Sequence, residues 1–230
     1  MNRRSHSFAM LGALVSCLGI STPEVMADQV ILSLSAANGG ANAVWMESVN
    51  PDANYVSDDI VSVYHRNGND QNSLLLFDLS PIPSGKTVTS ATLTVWHDSS
   101  LFPAGDNGAE TEVFRLTKPW IQWQVTWNIA SGYRSSNYVS WDQPGGDFIG
   151  IDGQKDHSDP YAIAALYLDD GAPGIFAMNF DVTGLVSEWY NGVFVNYGFL
   201  LTAPEGNGLV FHADRGFDPS LYPTLTVNWQ

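Results

Sequence analysis

Rings and carboxylates define the chemistry open to this chain. Trp123, Tyr133, Tyr138 and Trp141 fall in one polar stretch, with Arg134 beside Tyr133. A flat aromatic ring packs on the C–H face of a sugar, while amides, carboxylates and guanidinium groups hydrogen-bond its hydroxyls. These five residues are the candidate saccharide contacts, with Trp141 foremost. Trp120, Trp127 and Trp189 read instead as core. Downstream, Asp147, Asp152, Asp156 and Asp159 share a loop with Gly150 and Gly153. Hard oxygen donors of this kind suit a structural calcium ion, although the spacing is not that of an EF-hand, and a merely solvated acidic loop is the competing reading.

Catalysis has no comparable signature. The chain has no Gly-x-Ser-x-Gly elbow, no His-Glu-x-x-His and no phosphate-cradling glycine loop. His65, His97, His157 and His212 stand alone, without a His or Cys at metal-ligand spacing. A pair of carboxylates assembled by the fold is the remaining catalytic option, because glycosidase acids meet in space and not in sequence. The expectation is a protein that is not an enzyme.

The elements that must position these groups are mostly strands. Residues 178–203 read as strand, one short helix near residues 184–191, then strand. Thr183 is placed to cap the helix, Leu185, Val186 and Trp189 share one side, and Asn191-Gly192 closes it. So short a helix needs tertiary support, so it is expected to plug the open end of a sandwich. Residues 88–97 alternate most clearly, with Ala91, Leu93 and Val95 on one face and Thr92, Thr94 and Trp96 on the other. Their expected partner is the strand at 110–117. Residues 74–77 are apolar on both faces, as in a central strand, and 224–229 alternate as a closing strand. A short helix is expected at 161–168, and the irregular stretch 130–173 is expected to carry the binding site. Short strands with Gly and Pro at the joints predict an all-β, antiparallel jelly-roll β-sandwich.

Composition bounds the partners. Arg3 and Arg4, the apolar run 8–20 and the small-residue site Val25-Met26-Ala27 form an export signal, giving a signal peptide at 1–27 and one sandwich domain at 28–230. The apolar run is too short for a transmembrane segment. Leu14-Val15-Ser16-Cys17 also has the form of a lipoprotein box, so lipidation of Cys17 is the alternative to a simple secreted or periplasmic product. Removing Arg3, Arg4 and Glu24 with the signal leaves seven basic and 23 acidic side chains, a net charge of −16. So acidic a surface argues against nucleic acid and anionic lipid, and favours a neutral polysaccharide or an acidic one bridged by calcium.

Four stretches carry a family resemblance: residues 73–96 (SLLLFDLSPIPSGKTVTSATLTVW), 113–128 (VFRLTKPWIQWQVTWN), the run DVTGLVSEWYNG…NYGFLL within 181–201, and 223–229 (PTLTVNW). Together they resemble the DNRLRE domain family, secreted β-sandwich modules that include alginate-binding carbohydrate-binding modules and disaggregatase-related proteins. The resemblance implies the same sandwich and an exported, non-catalytic module holding an extracellular polysaccharide. The alternatives are a cell-surface or matrix adhesion protein without a sugar site and, more distantly, a glycan-cleaving enzyme on a jelly-roll scaffold.

Overall fold

Alternating apolar residues pair into a nearly all-β, antiparallel sandwich with one short helix. The computed structural model describes residues 28–34, 42–100, 108–132, 135–155, 159–167, 174–216 and 218–230. The signal segment with Cys17, and also Tyr133, Arg134, Asp156 and His157, lie outside the described residues.

The strands are β1 (Asp28–Ser33), β2 (Asn42–Glu47), β3 (Ile60–Arg66), β4 (Asn69–Leu76), β5 (Val88–Asp98), β6 (Glu110–Leu116), β7 (Ile129–Ser131) and β8 (Val139–Ser140). They continue with β9 (Phe148–Ile149), β10 (Ala162–Ala165), β11 (Ile175–Asp181), β12 (Phe199–Thr202), β13 (Gly208–His212) and β14 (Thr224–Trp229), with helix α1 (Thr183–Tyr190) between β11 and β12. One hydrogen-bonded path runs β1-β14-β5-β13-β3-β4-β12-β6-β10, with β11 on β5, β2 on β4 and β9 on β6; β7 and β8 pair separately.

Two expectations are corrected here. β5 does not pair with β6: β11 takes one edge, with Phe180 opposite Leu93, and β14 takes the other, with Leu225 opposite that same Leu93. β6 instead lies between β12 and β10. β5 and β6, although consecutive, therefore form no hairpin. The described part of the helix expected at 161–168, residues 161–167, holds none, since Ala162–Ala165 pair with Glu110–Val113 and extend the sheet. An unpaired β6 edge offers these residues four ladder positions, which outweighs the helix preference of an Ala-rich run.

The inter-sheet core follows the period of two. Ala91, Leu93 and Val95 of β5, Met178 and Phe180 of β11, and Leu225 and Val227 of β14 face Leu75, Val113, Phe199 and Leu201 from the opposite layer. Leu185, Val186 and Trp189 of α1 join this cluster, so the helix buries its apolar side in the sandwich as expected. Trp189 meets Phe199 edge to face, with centroids 4.7 Å apart. Thr183 is not the N-cap. It begins the helix, and its hydroxyl accepts from the Ala91 amide at 2.9 Å and donates to Asp181, fastening α1 to β5. The helix ends where the Val193 and Gly192 amides donate to Glu188 and Trp189 carbonyls, a Schellman closure that places Gly192 at φ +71°.

β2, β4, β6 and β12 are apolar on both faces for a second reason. Val44, Met46, Leu74, Phe114, Leu116 and Leu200 point away from the inter-sheet core into a second cluster, completed by Trp120, Val125, Ala130, Trp141 and Phe148. The described residues of the irregular segment 117–149 therefore lie as a cap over the outer face of that sheet. Gly146, at φ +114°, brings the cap backbone close enough that a Cβ would stand 2.8 Å from Leu200 Cδ1.

Candidate functional site

The cap sorts the predicted rings into buried and displayed. Trp141 is a correction: it is 5 % exposed, packs in the second core, and donates its indole N–H to the Thr126 carbonyl at 3.0 Å. It holds the cap down and offers no platform. Trp120 is core as expected, its indole N–H bonded to the Tyr197 carbonyl. Trp123 and Tyr138, by contrast, stand 61 % and 58 % exposed.

Trp123 sits on a turn that has little freedom to move. The Asn54 side chain donates to the Gln122 and Val125 carbonyls at 2.9 and 2.6 Å, bracketing the turn. Gln122, 1 % exposed, donates its side-chain N–H to the Ala43 carbonyl at 2.9 Å. The Gln124 and Val125 amides both donate to the Ile121 carbonyl. The β7–β8 ribbon that carries Tyr138 is stitched to the same turn by the Ile121 amide to Ala130 and the Gly132 amide to Gln124 Oε1. Both displayed rings thus rise from one fastened unit.

Beside Trp123 lies a residue that local sequence does not associate with it. The Arg215 guanidinium stands 5.9 Å from the Trp123 ring centroid, within cation–π range. Arg215 Nε is 3.5 Å from Asp214 Oδ1, and the Gln122 side chain donates to Asp214 Oδ2 at 3.4 Å. Asp214 is 1 % exposed. Burial pushes its carboxyl up, and the Arg215 charge and Gln122 only partly oppose that rise. One buried acid therefore holds both neighbours of the displayed ring. No sequence signal reaches this arrangement, since Gln122 and Asp214 are 92 positions apart.

Of the acids of the calcium expectation, Asp147, Asp152 and Asp159 are among the described residues, and they do not form one cluster. Asp147 is 3 % exposed, pairs with Lys118 Nζ at 2.6 Å, and accepts the Asp142 and Gln143 amides at 2.9–3.0 Å. Burial alone would raise its carboxyl, but Lys118 and the two amides outweigh burial and hold it below the usual range. It is a staple for the cap, which corrects its place in the metal set. Asp152 Oδ1 accepts the Gln154 amide, and Asp159 is exposed. Among the described residues no group of three or more His, Cys, Asp or Glu comes together in a way that could hold a metal ion.

Away from the cap, a groove of about 790 Å³ opens between residues 76–86 and the end of α1. Its best-placed polar groups are already spent on backbone: Asn196 donates to the Phe77 carbonyl, and the Tyr190 hydroxyl serves the Pro83 carbonyl and the Lys86 amide. Among the described residues no helix is long and apolar enough to cross a membrane.

No curated protein matches the chain. The family model of the disaggregatase related repeat domain matches residues 44–227, from β2 to within β14 and across both cores. With most of its length so covered, this chain belongs to the disaggregatase related repeat family.

Proposed function

We propose that the protein is an exported, non-catalytic module that holds an extracellular polysaccharide on a platform centred on Trp123. The observation that carries this reading is an indole 61 % exposed on a turn fixed by four side-chain and backbone tethers. A large ring kept in water gains nothing from packing, and a fixed ring loses little entropy when a sugar stacks on it. Arg215 supplies hydrogen-bonding groups near it, a residue that the pattern of rings in the sequence does not point to, and Tyr138 stands exposed on the ribbon tied to the same turn. The resemblance to DNRLRE modules supports a saccharide ligand, and the amino-terminal signal supports an extracellular or periplasmic location, with lipidation at Cys17 as the alternative anchor. A net charge of −16 favours a neutral chain over a polyanion. Calcium remains in the proposal only through Asp152, Asp156 and Asp159, and a melt in calcium against chelator tests it: an unchanged midpoint removes the ion.

The rival reading, a surface or matrix adhesion protein without a sugar site, is favoured by Val193, Phe194 and Val195, which stand 61, 36 and 61 % exposed in succession after α1. Affinity electrophoresis through neutral and anionic polysaccharide gels separates the two. Retardation on a neutral gel that is lost in Trp123→Ala and kept in Phe194→Ala is expected. Unchanged mobility of the wild-type protein on every gel removes the saccharide reading.

A further inference from the structure

Four residues beyond Trp123, the cap forms a cleft of about 320 Å³ with the ends of β3, β4 and β12, lined by His65, Asp70, Asn72, Trp127, Gln143, Pro144, Phe148, Lys155 and Thr202. We infer that this cleft takes one neutral pyranose residue of the bound glycan, as a second contact separate from the Trp123 platform. The inference rests on the saccharide reading above and adds to it the place and class of a sugar subsite.

The floor is apolar and rigid. Trp127 is half-buried, and the Gly145 backbone is packed so tightly against it that a Cβ would lie 2.8 Å from Cη2. The Gly145 amide also donates to the Trp127 carbonyl at 2.7 Å, and Asn72 Nδ2 donates to the Gly145 carbonyl at 2.9 Å. Phe148 and Pro144 continue the apolar surface. Around it stand two amides, a hydroxyl, a carboxylate, an imidazole and an ammonium. Such a rim offers both donors and acceptors, as hydroxyls that do both require. Asp70 and His65 stand together on this rim, with Asp70 Oδ1 3.5 Å from His65 Nε2.

Size and charge select the class. A volume of about 320 Å³ lies at the low end of small-molecule sites, roughly 300–1,000 Å³, and suits a single residue over a long segment. The lining contributes one carboxylate and one ammonium, a local balance unlike the −16 of the mature chain. Lys155 Nζ is itself 3.9 Å from Asp142 Oδ2, so part of its charge is already met by a protein carboxylate.

The test uses the mature protein with Gln143→Ala and Lys155→Ala, both at exposed positions on the cleft rim. Neutral tetrasaccharides of glucose, mannose and galactose, and one uronic-acid tetrasaccharide, are titrated by NMR, and the polysaccharide gels are run in parallel. Each lost hydrogen bond weakens binding by about 2–10-fold, so each variant is expected to bind the neutral tetrasaccharide that the wild type prefers that much more weakly. Tighter wild-type binding of the uronic tetrasaccharide overturns the neutral class. If gel retardation depends on Trp123 while both cleft variants titrate as wild type, the cleft is overturned and the platform stands. If the wild-type protein binds no saccharide in either format, both fall.

Discussion

The sandwich has two apolar cores, built by different means. Between the sheets, strand after strand contributes every second residue, and hydrogen-bonded ladders hold the register. Under the cap, the sheet again contributes every second residue, but the covering half comes from turns, two-residue strands and indoles whose N–H groups are tied to backbone carbonyls. A ladder repeats a single interaction, so any one of its bonds matters little. A cap is held by a few individual tethers, each of which matters. That difference lets the cap display Trp123 while burying Trp141, because a segment free of ladder geometry can turn one indole inward and another outward.

Substitutions at the two cores separate them most widely. Phe199→Ala, in the inter-sheet core, is expected to cost about 3–5 kcal/mol and lower the midpoint of the whole cooperative transition. Trp141→Ala removes a ring of comparable worth from the cap, yet the expected outcome is local. Hydrogen exchange should rise across 117–149 while β5 and β14 stay protected. Equal loss of protection in β5 would show that the two cores melt as one.

Next in size is the ionic staple. Lys118→Met leaves the Asp147 carboxylate buried beside two amides without its counter-charge, at an expected cost of about 3 kcal/mol by denaturant titration. A loss under about 1 kcal/mol, which is typical of an exposed pair, would place the pair in solvent.

A smaller effect separates the two buried acids by sign. Asp147 titrates below its ordinary value, so its stabilisation is present above about pH 4 and is lost as pH falls through the lowered native value. Asp214 titrates above it, so its ionised form is a cost at neutral pH that protonation relieves as pH falls toward the unfolded value. Thermal melts should therefore show Asp147→Asn flattening the acid limb. Asp214→Asn should raise the midpoint at pH 7, with an advantage that shrinks toward pH 4. Parallel curves for the two variants would contradict the assignment.

Smallest of all on stability is Trp123→Ala, expected within about 0.5 kcal/mol of wild type because the ring is mostly in water. Its effect should appear only on the polysaccharide gel, the opposite of the Trp141→Ala pattern.

Local order was open to reading from residues alone. The alternation of 88–97 and 224–229, the short helix with Leu185, Val186 and Trp189 inward, and the two-faced strand at 74–77 all follow from neighbours a few positions apart, because strand and helix periods are local properties. Exposure is not local. Trp123 and Trp141 sit in equally polar surroundings, and what separates them is whether Val44, Leu74, Phe114 and Leu200, on four different strands, lie beneath the ring. The pairing of β5 with β11 and β14, the Arg215 guanidinium beside Trp123, and the cleft that joins Asp70 to Gln143 were likewise settled only when distant segments met. The sequence by itself determined the kind of sheet, the short helix at 183–190 and the acidity; the tertiary structure alone decided which rings face water, because burial is conferred by residues that sequence spacing does not relate.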